Sequence, residues 1–229
     1  MSSIYKILKN KKHQMKKPII AAILFATILK LSAQNIEVNS GVNLNSFYSY
    51  KTVYNSISET KIGYNIALSY QNAKPIKTII SIGFEKYSGG FEALESGVNY
   101  GRFINADIEK SVASLCIMPF NFIIAEKLDL NVGAVVSYLL KESFQGEYSW
   151  WQGGEGGRSD LQDTYQQYSK KWHYGLKMRI AYNLNMSENL FLTPQYHTYF
   201  GINNEFTQFP KKAKSFRNYF CIGLKMIIH

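Results

Sequence analysis

Cysteine, proline and acidic residues near the N-terminus are what this 229-residue chain has least of. The two cysteines, Cys116 and Cys221, share no metal-like spacing with the four histidines, which excludes a zinc site. They read as small apolar strand residues, with a structural disulfide as the alternative. No apolar run reaches the roughly 20 residues that a bilayer-spanning helix needs, and Leu-rich helical stretches are absent after the start of the chain. The glycines at 153–157 lack the strand and helix that a phosphate-binding loop requires. The formal charge of +10 suggests a nucleic-acid partner only until it is located. Seven lysines and no acid precede position 34, so the remainder carries a net +3 and no nucleic-acid partner is expected.

The charge of the N-terminus has its own explanation. A Lys-rich stretch up to Lys17 is followed by about ten apolar residues at 19–29 and then Leu31-Ser32-Ala33-Gln34, the order of a secretory signal peptide. Residues 1–33 are expected to be this signal, cleaved after Ala33, and 34–229 a single β domain. Lys30 interrupts the run before it is long enough to be a membrane anchor.

Aromatics make up 15% of the chain and Tyr dominates them, a composition suited to strands that face two environments. Apolar residues alternate with polar ones over eight stretches, the period of strand side chains. Ile36, Val38, Val42, Leu44, Tyr48 and Tyr50 alternate with Glu37, Asn39, Asn43 and Asn45. Further runs lie at 62–71, 76–84 (where Ile79 breaks phase), 112–124, 128–140, 171–184, 190–202 and 216–228. The sixth is clearest, with Trp172, Tyr174, Leu176, Met178, Ile180 and Tyr182 on one face and Lys171, His173, Lys177 and Arg179 on the other. Each run has the length a tilted strand needs to cross a bilayer.

Connections near 71–75, 125–127 and 185–189 are short, whereas those at 51–61, 86–108, 142–169 and 203–213 are long. Alternating short turns and long loops is the habit of outer-membrane barrels. Turns centred near 73, 126 and 187 place Ile66 opposite Ile80, Val132 opposite Phe120 and Met178 opposite Tyr196. Apolar then meets apolar in all three hairpins, which a one-residue slip would destroy. The fold expected is all-β: an eight-stranded antiparallel up-and-down transmembrane β-barrel. The alternative is a soluble periplasmic barrel binding an apolar ligand. Charge decides between them, because the polar face would place Glu37, Lys77, Glu85, Asp129, Lys177, Arg179, Arg217 and Lys225 inside. Such ions are costly in an apolar pocket but can pair in the lumen of a membrane barrel.

The segment ending Ser32-Ala33-Gln34, the stretch SLCIMPFNFIIAEKLDLNVGAVVSYLL with its mid-strand Pro119, and the closing FCIGLKMIIH resemble the PorT-like outer-membrane β-barrel family of Bacteroidetes. The likeness spans most of the mature chain. It implies an outer-membrane barrel, a few relatives of which are linked to protein secretion. One departure is the chain end, Ile227-Ile228-His229, where such barrels often carry an aromatic residue that assembly machinery reads.

Functional expectations follow from the two ends of this architecture. An eight-stranded barrel has room inside only for its own side chains, so the lumen charges form a salt-bridged plug, with an anion path as the alternative. Tyr148, Trp150 and Trp151, beside glycines in the longest connection, are the candidate recognition residues, since Trp offers large contact area. Their structural alternative is a loop folded over the barrel mouth. His173 and His197 lie on adjacent strands, but the expected register sets His173 opposite Gly201 and His197 opposite Lys177, too far apart for a dyad. No catalytic, cofactor or metal residue is therefore assigned, and a lipid-modifying barrel enzyme is the alternative reading. The partners expected are outer-membrane lipids, the barrel assembly machinery and an extracellular or envelope protein.

Overall fold

The computed structural model describes residues 33–48, 57–72, 77–161, 168–207 and 213–228. Residues 1–32 of the proposed signal segment lie outside them, and its expected last residue, Ala33, opens the first strand. The described residues form ten strands and no helix: β1 (Ala33–Tyr48), β2 (Ile57–Asn72), β3 (Ile79–Ser96), β4 (Tyr100–Ala125), β5 (Leu128–Gln152), β6 (Glu155–Leu161), β7 (Trp172–Tyr182), β8 (Leu184–Ser187), β9 (Leu190–Gly201) and β10 (Lys214–Ile227).

Each barrel strand pairs antiparallel with its neighbour around the ring, and β10 pairs with both β9 and β1, so the sheet closes on itself. The seam runs from Asn35↔Ile227 to Tyr48↔Lys214 without a register break. Closure leaves no unpaired edge in the ring, which is what lets strands cross a medium that cannot hydrogen-bond them. β8 continues β7 and pairs with β9, and β6 folds back on β5 as an extra hairpin strand. Eight strands therefore form the barrel proper. One end carries the termini and the short turns, here called proximal; the other is distal.

Phe120 faces Val132 as the turn at 126 requires. The other two registers differ from expectation: Ile66 faces Phe84 rather than Ile80, and Met178 faces Thr198 rather than Tyr196. The β2–β3 turn is longer than its sequence suggested, with the Asn72 amide donating to the Thr78 carbonyl at 3.0 Å. Both displacements are by an even number of residues, so every side chain keeps its face. Pro119 sits where β4 shifts register between Ile117 and Phe120, a bulge that spares the ladder its missing N–H.

The polarity of the barrel proper is inverted relative to a soluble protein. Ile62, Ile66, Phe120, Leu176, Ile222 and Leu224 stand exposed on the outside, with Ile62 70% and Ile222 63% accessible. Glu37, Glu85, Arg179, His197 and Arg217 are buried inside. On β7 the outward residues from Trp172 to Tyr182 span about 33 Å of strand, or about 25 Å of height at the usual tilt.

The expected loops at 86–108 and 142–169 are instead largely strand. β3 and β4 run on to Ser96 and from Tyr100, and β5 continues to Gln152 before turning through Gly153 and Gly154, whose φ of 60° and 89° suit a tight hairpin turn. In this distal extension the alternation persists with its sense reversed. Ile104, Ala106 and Ile108 are buried on the inner face, whereas Asn105, Asp107 and Glu109 are exposed. Apolar outside gives way to apolar inside above the level of Phe84 and Ala113, as expected where hydrocarbon gives way to water. The result is a four-stranded paddle standing above the barrel mouth.

Candidate functional site

The lumen is filled by three stacked polar groups. In the proximal one, Arg179 Nη2 donates to Glu37 Oε2 at 2.7 Å, and Gln195 Nε2 donates to Glu37 Oε1 at 2.7 Å. Arg179 Nε donates to Gln195 Oε1 at 3.0 Å, and His197 Nε2 lies 2.8 Å from the same oxygen. Nearer the proximal rim, Asn183 donates to Asp129 at 2.9 Å, and Lys225 bonds Asn183 and stands 4.0 Å from Asp129. In the middle group Arg217 pairs with Glu85, and its guanidinium lies 3.8 Å from the Tyr199 ring centre and 4.4 Å from that of Tyr87. Tyr219 donates to Glu85 at 2.8 Å, and Lys177 Nζ stands 4.6 Å from the Tyr219 ring centre.

The distal group centres on Glu205, which belongs to the β9–β10 connection turned inward into the mouth. Lys110 Nζ donates to Glu205 Oε2 at 2.8 Å, and Ser215 donates to Oε1 at 2.6 Å. His173 Nδ1 lies 3.0 Å from Oε2, and the Tyr87 hydroxyl donates to it at 3.3 Å. Phe206, next in sequence, packs on Phe47 and Phe144 with ring centres 5.5 and 6.1 Å apart, and Lys110 Nζ stands 4.5 Å from its ring centre.

Seven of the eight charges expected in the lumen are there, arranged as just described. Lys77 is not: it lies exposed just before β3 and joins no ion pair among the described residues. It falls on the longer β2–β3 turn, outside the alternating segment. Cys116 and Cys221 are free thiols buried in the lumen. His197 pairs across β7–β9 with Arg179, not Lys177, and Gly201 with Gly175, not His173; His173 meets Glu205 and His197 meets Gln195. Lys110 and Glu205 were not anticipated. A lone lysine in phase with Ile104, Ile108 and Val112 was the one available signal, whereas the segment carrying Glu205 has no periodicity to betray its inward course.

The candidate recognition residues sit in the paddle, on strand rather than loop. Register places Glu95, Arg102, Trp150 and Gly157 in one row across four strands, with Ile104, Tyr148 and Ser159 in the row below. The Trp150 indole lies against Gly157, where a Cβ would come within 2.9 Å of Nε1. Trp151 alternates to the other face and lies across Gly101, where a Cβ would overlap its ring. Glycine opposite each indole lets the ring lie down on the sheet and leaves part of it in solvent, 41% for Trp150 and 43% for Trp151. A cleft of about 850 Å³ at this tip is lined by Glu95, Arg102, Trp150 and Trp151 with Asn99 and Gln152. The amide of Gly153 donates to the Asn99 carbonyl at 2.9 Å and ties the two hairpin tips together. On the outer face of the paddle Arg158 pairs with Glu147, whose hydrogen bond raises the guanidinium pKa above its ordinary value.

No family model and no curated protein sequence matches the chain. Solved structures of bacterial outer-membrane barrels are similar in fold. Neisserial surface protein A has a TM-score of 0.44 at 13% identity, over 84% of this chain and 97% of the other. Ail, the attachment invasion locus protein of Yersinia pestis, has a TM-score of 0.40 at 13% identity, over 85% and 100%. OprG of Pseudomonas aeruginosa has a TM-score of 0.42 at 10% identity, over 86% and 97%.

Proposed function

We propose that this chain is a non-enzymatic integral protein of a bacterial outer membrane, exported by a cleaved signal peptide and inserted by the barrel assembly machinery. Its paddle engages an extracellular or envelope partner. The observation that carries this reading is the inverted barrel, apolar outside and ionic inside over a height of about 25 Å. In water such a surface would be an aggregation site; among lipid tails it is the ordinary exterior. An ionic lumen also speaks against the soluble barrel with an apolar ligand cavity. Orientation follows from the same habit, with short turns in the periplasm and the paddle outside the cell. The likeness to PorT-like barrels supports an envelope or secretion setting as part of this proposal.

The enzyme alternative finds little support. Ser215, Glu205 and His173 meet, but the serine donates to the carboxylate rather than to imidazole, and all three are at most 1% exposed. The test is membrane fractionation of cells expressing the full chain, with sodium carbonate washing, detergent extraction and unheated gels. Retention through the wash and a heat-dependent shift in migration are expected. Recovery in the soluble fraction would overturn the reading.

A further inference from the structure

The paddle tip offers a binding site whose ligand class can be argued from its chemistry. Resting on the reading of the paddle as an exposed recognition element, we propose that its cleft binds a neutral saccharide. The row Glu95–Arg102–Trp150 sets a carboxylate beside a guanidinium beside an indole. Trp150 is laid down on Gly157 with a large part of its surface exposed. Such a platform suits the flat C–H face of a sugar ring.

Arg102 and Glu95 are exposed, and among the described residues neither side chain forms an ion pair or hydrogen bond. They stand ready as a paired donor fork and acceptor for vicinal hydroxyls, which donate and accept at once. Asn99 and Gln152 add amides that do both. Charge narrows the class. The row itself is neutral, and Glu155, paired with Gln152, adds a negative charge on the same face, whereas Glu92, Glu147 and Asp160 fall in a row on the outer face with Arg158. Sulfated or sialylated chains would meet net repulsion there, whereas an uncharged saccharide would not. A protein ligand would be expected to find a larger apolar centre.

The experiment uses full-length protein folded in detergent micelles, carrying Trp172→Phe so that the paddle supplies all the tryptophan fluorescence. Neutral, sialylated and sulfated oligosaccharides are screened on an array, and neutral hits are titrated by emission. A saturable blue shift is expected with neutral oligosaccharides, at least about tenfold tighter than with their sulfated forms. Trp150→Ala, Arg102→Gln and Glu95→Gln should each weaken it by about tenfold or more, with gel mobility confirming the fold. No saturable binding by the folded protein up to ~10 mM saccharide overturns the proposal. Equal or tighter binding of sulfated forms, or binding that survives all three substitutions, does the same. Such failures in a protein that still fractionates with membranes leave the outer-membrane reading standing. Capture of a peptide instead of a sugar at the same tip would leave the paddle a recognition element and remove the saccharide.

Discussion

Removing Glu205 should destabilise the folded barrel more than removing its partner Lys110. Both side chains are at most 1% exposed and meet at 2.8 Å, where a charge pair interacts with about 6 kcal/mol at the effective dielectric that suits protein sites. Their losses are not equivalent. Lys110→Met keeps the aliphatic stem, and Glu205 retains Ser215, Tyr87 and His173 around its two oxygens. Glu205→Leu leaves the Lys110 ammonium buried, with only the rings of Phe206, Phe47 and Tyr87 at 4.5, 5.5 and 6.0 Å. Cation–π contacts recover about 1–2 kcal/mol of what the carboxylate supplied. Glu205→Leu should therefore cost about 3–5 kcal/mol, as stranding a buried charge does, and Lys110→Met about 1–2 kcal/mol less. Combining them should restore much of the loss, a coupling readable in a double-mutant cycle. The assay is guanidinium unfolding in lipid vesicles followed by tryptophan emission. Equal costs, or both below about 1 kcal/mol, would mean that Glu205 does not enter the mouth, and the plugged lumen would fall with it.

Planar bilayers containing the protein should show no steady conductance, since the lumen is occupied by its own side chains; a stable open level would contradict the three stacked groups. Ile222→Lys places a charge outward in mid-belt and should cost about 2–4 kcal/mol of folding stability in bilayers, and no measurable cost would argue for an aqueous exterior. Spin labels at Val42→Cys and Asp107→Cys, in a background without Cys116 and Cys221, report the polarity switch. The first should be quenched by oxygen in lipid and the second by a water-soluble nickel complex, and identical accessibilities would refute the boundary.

Most of the barrel was legible because period two survives the uncertainties of register. Ile66 and Met178 were assigned the wrong partners, yet both stayed on the outside, since the β2–β3 and β7–β9 pairings each moved by an even number of residues, the first through the longer turn at 72–78. What was lost lay where the physics changes along a strand. Ile104, Ala106 and Ile108 alternate as cleanly as the residues of β7, but they point inward while Leu115 and Ile117 point outward. Read as one pattern, the two halves of β4 cancel, so 86–108 looked like loop. The paddle row was illegible for another reason. Glu95 and Arg102 become neighbours of Trp150 only through the pairing of β3, β4 and β5, and nothing local marks them.

The lumen charges also have a common geometry. Glu37 on β1 reaches Arg179 on β7, and Arg217 on β10 reaches Glu85 on β3. In ring order, the shorter path between the members of each pair crosses the β10–β1 contact, the one seam that joins the two ends of the chain. Every other strand pair of the barrel is held by a covalent connection as well as by its ladder, whereas this one has hydrogen bonds alone. Inside a membrane the apolar exterior gives no reason for the seam to stay shut, because hydrocarbon solvates an open barrel wall as readily as a closed one. What opposes opening is the backbone groups it would bare and the buried ions it would separate, several kcal/mol for each stranded partner. The ionic lumen is thus a closure device for the seam first and a barrier to solutes as its consequence.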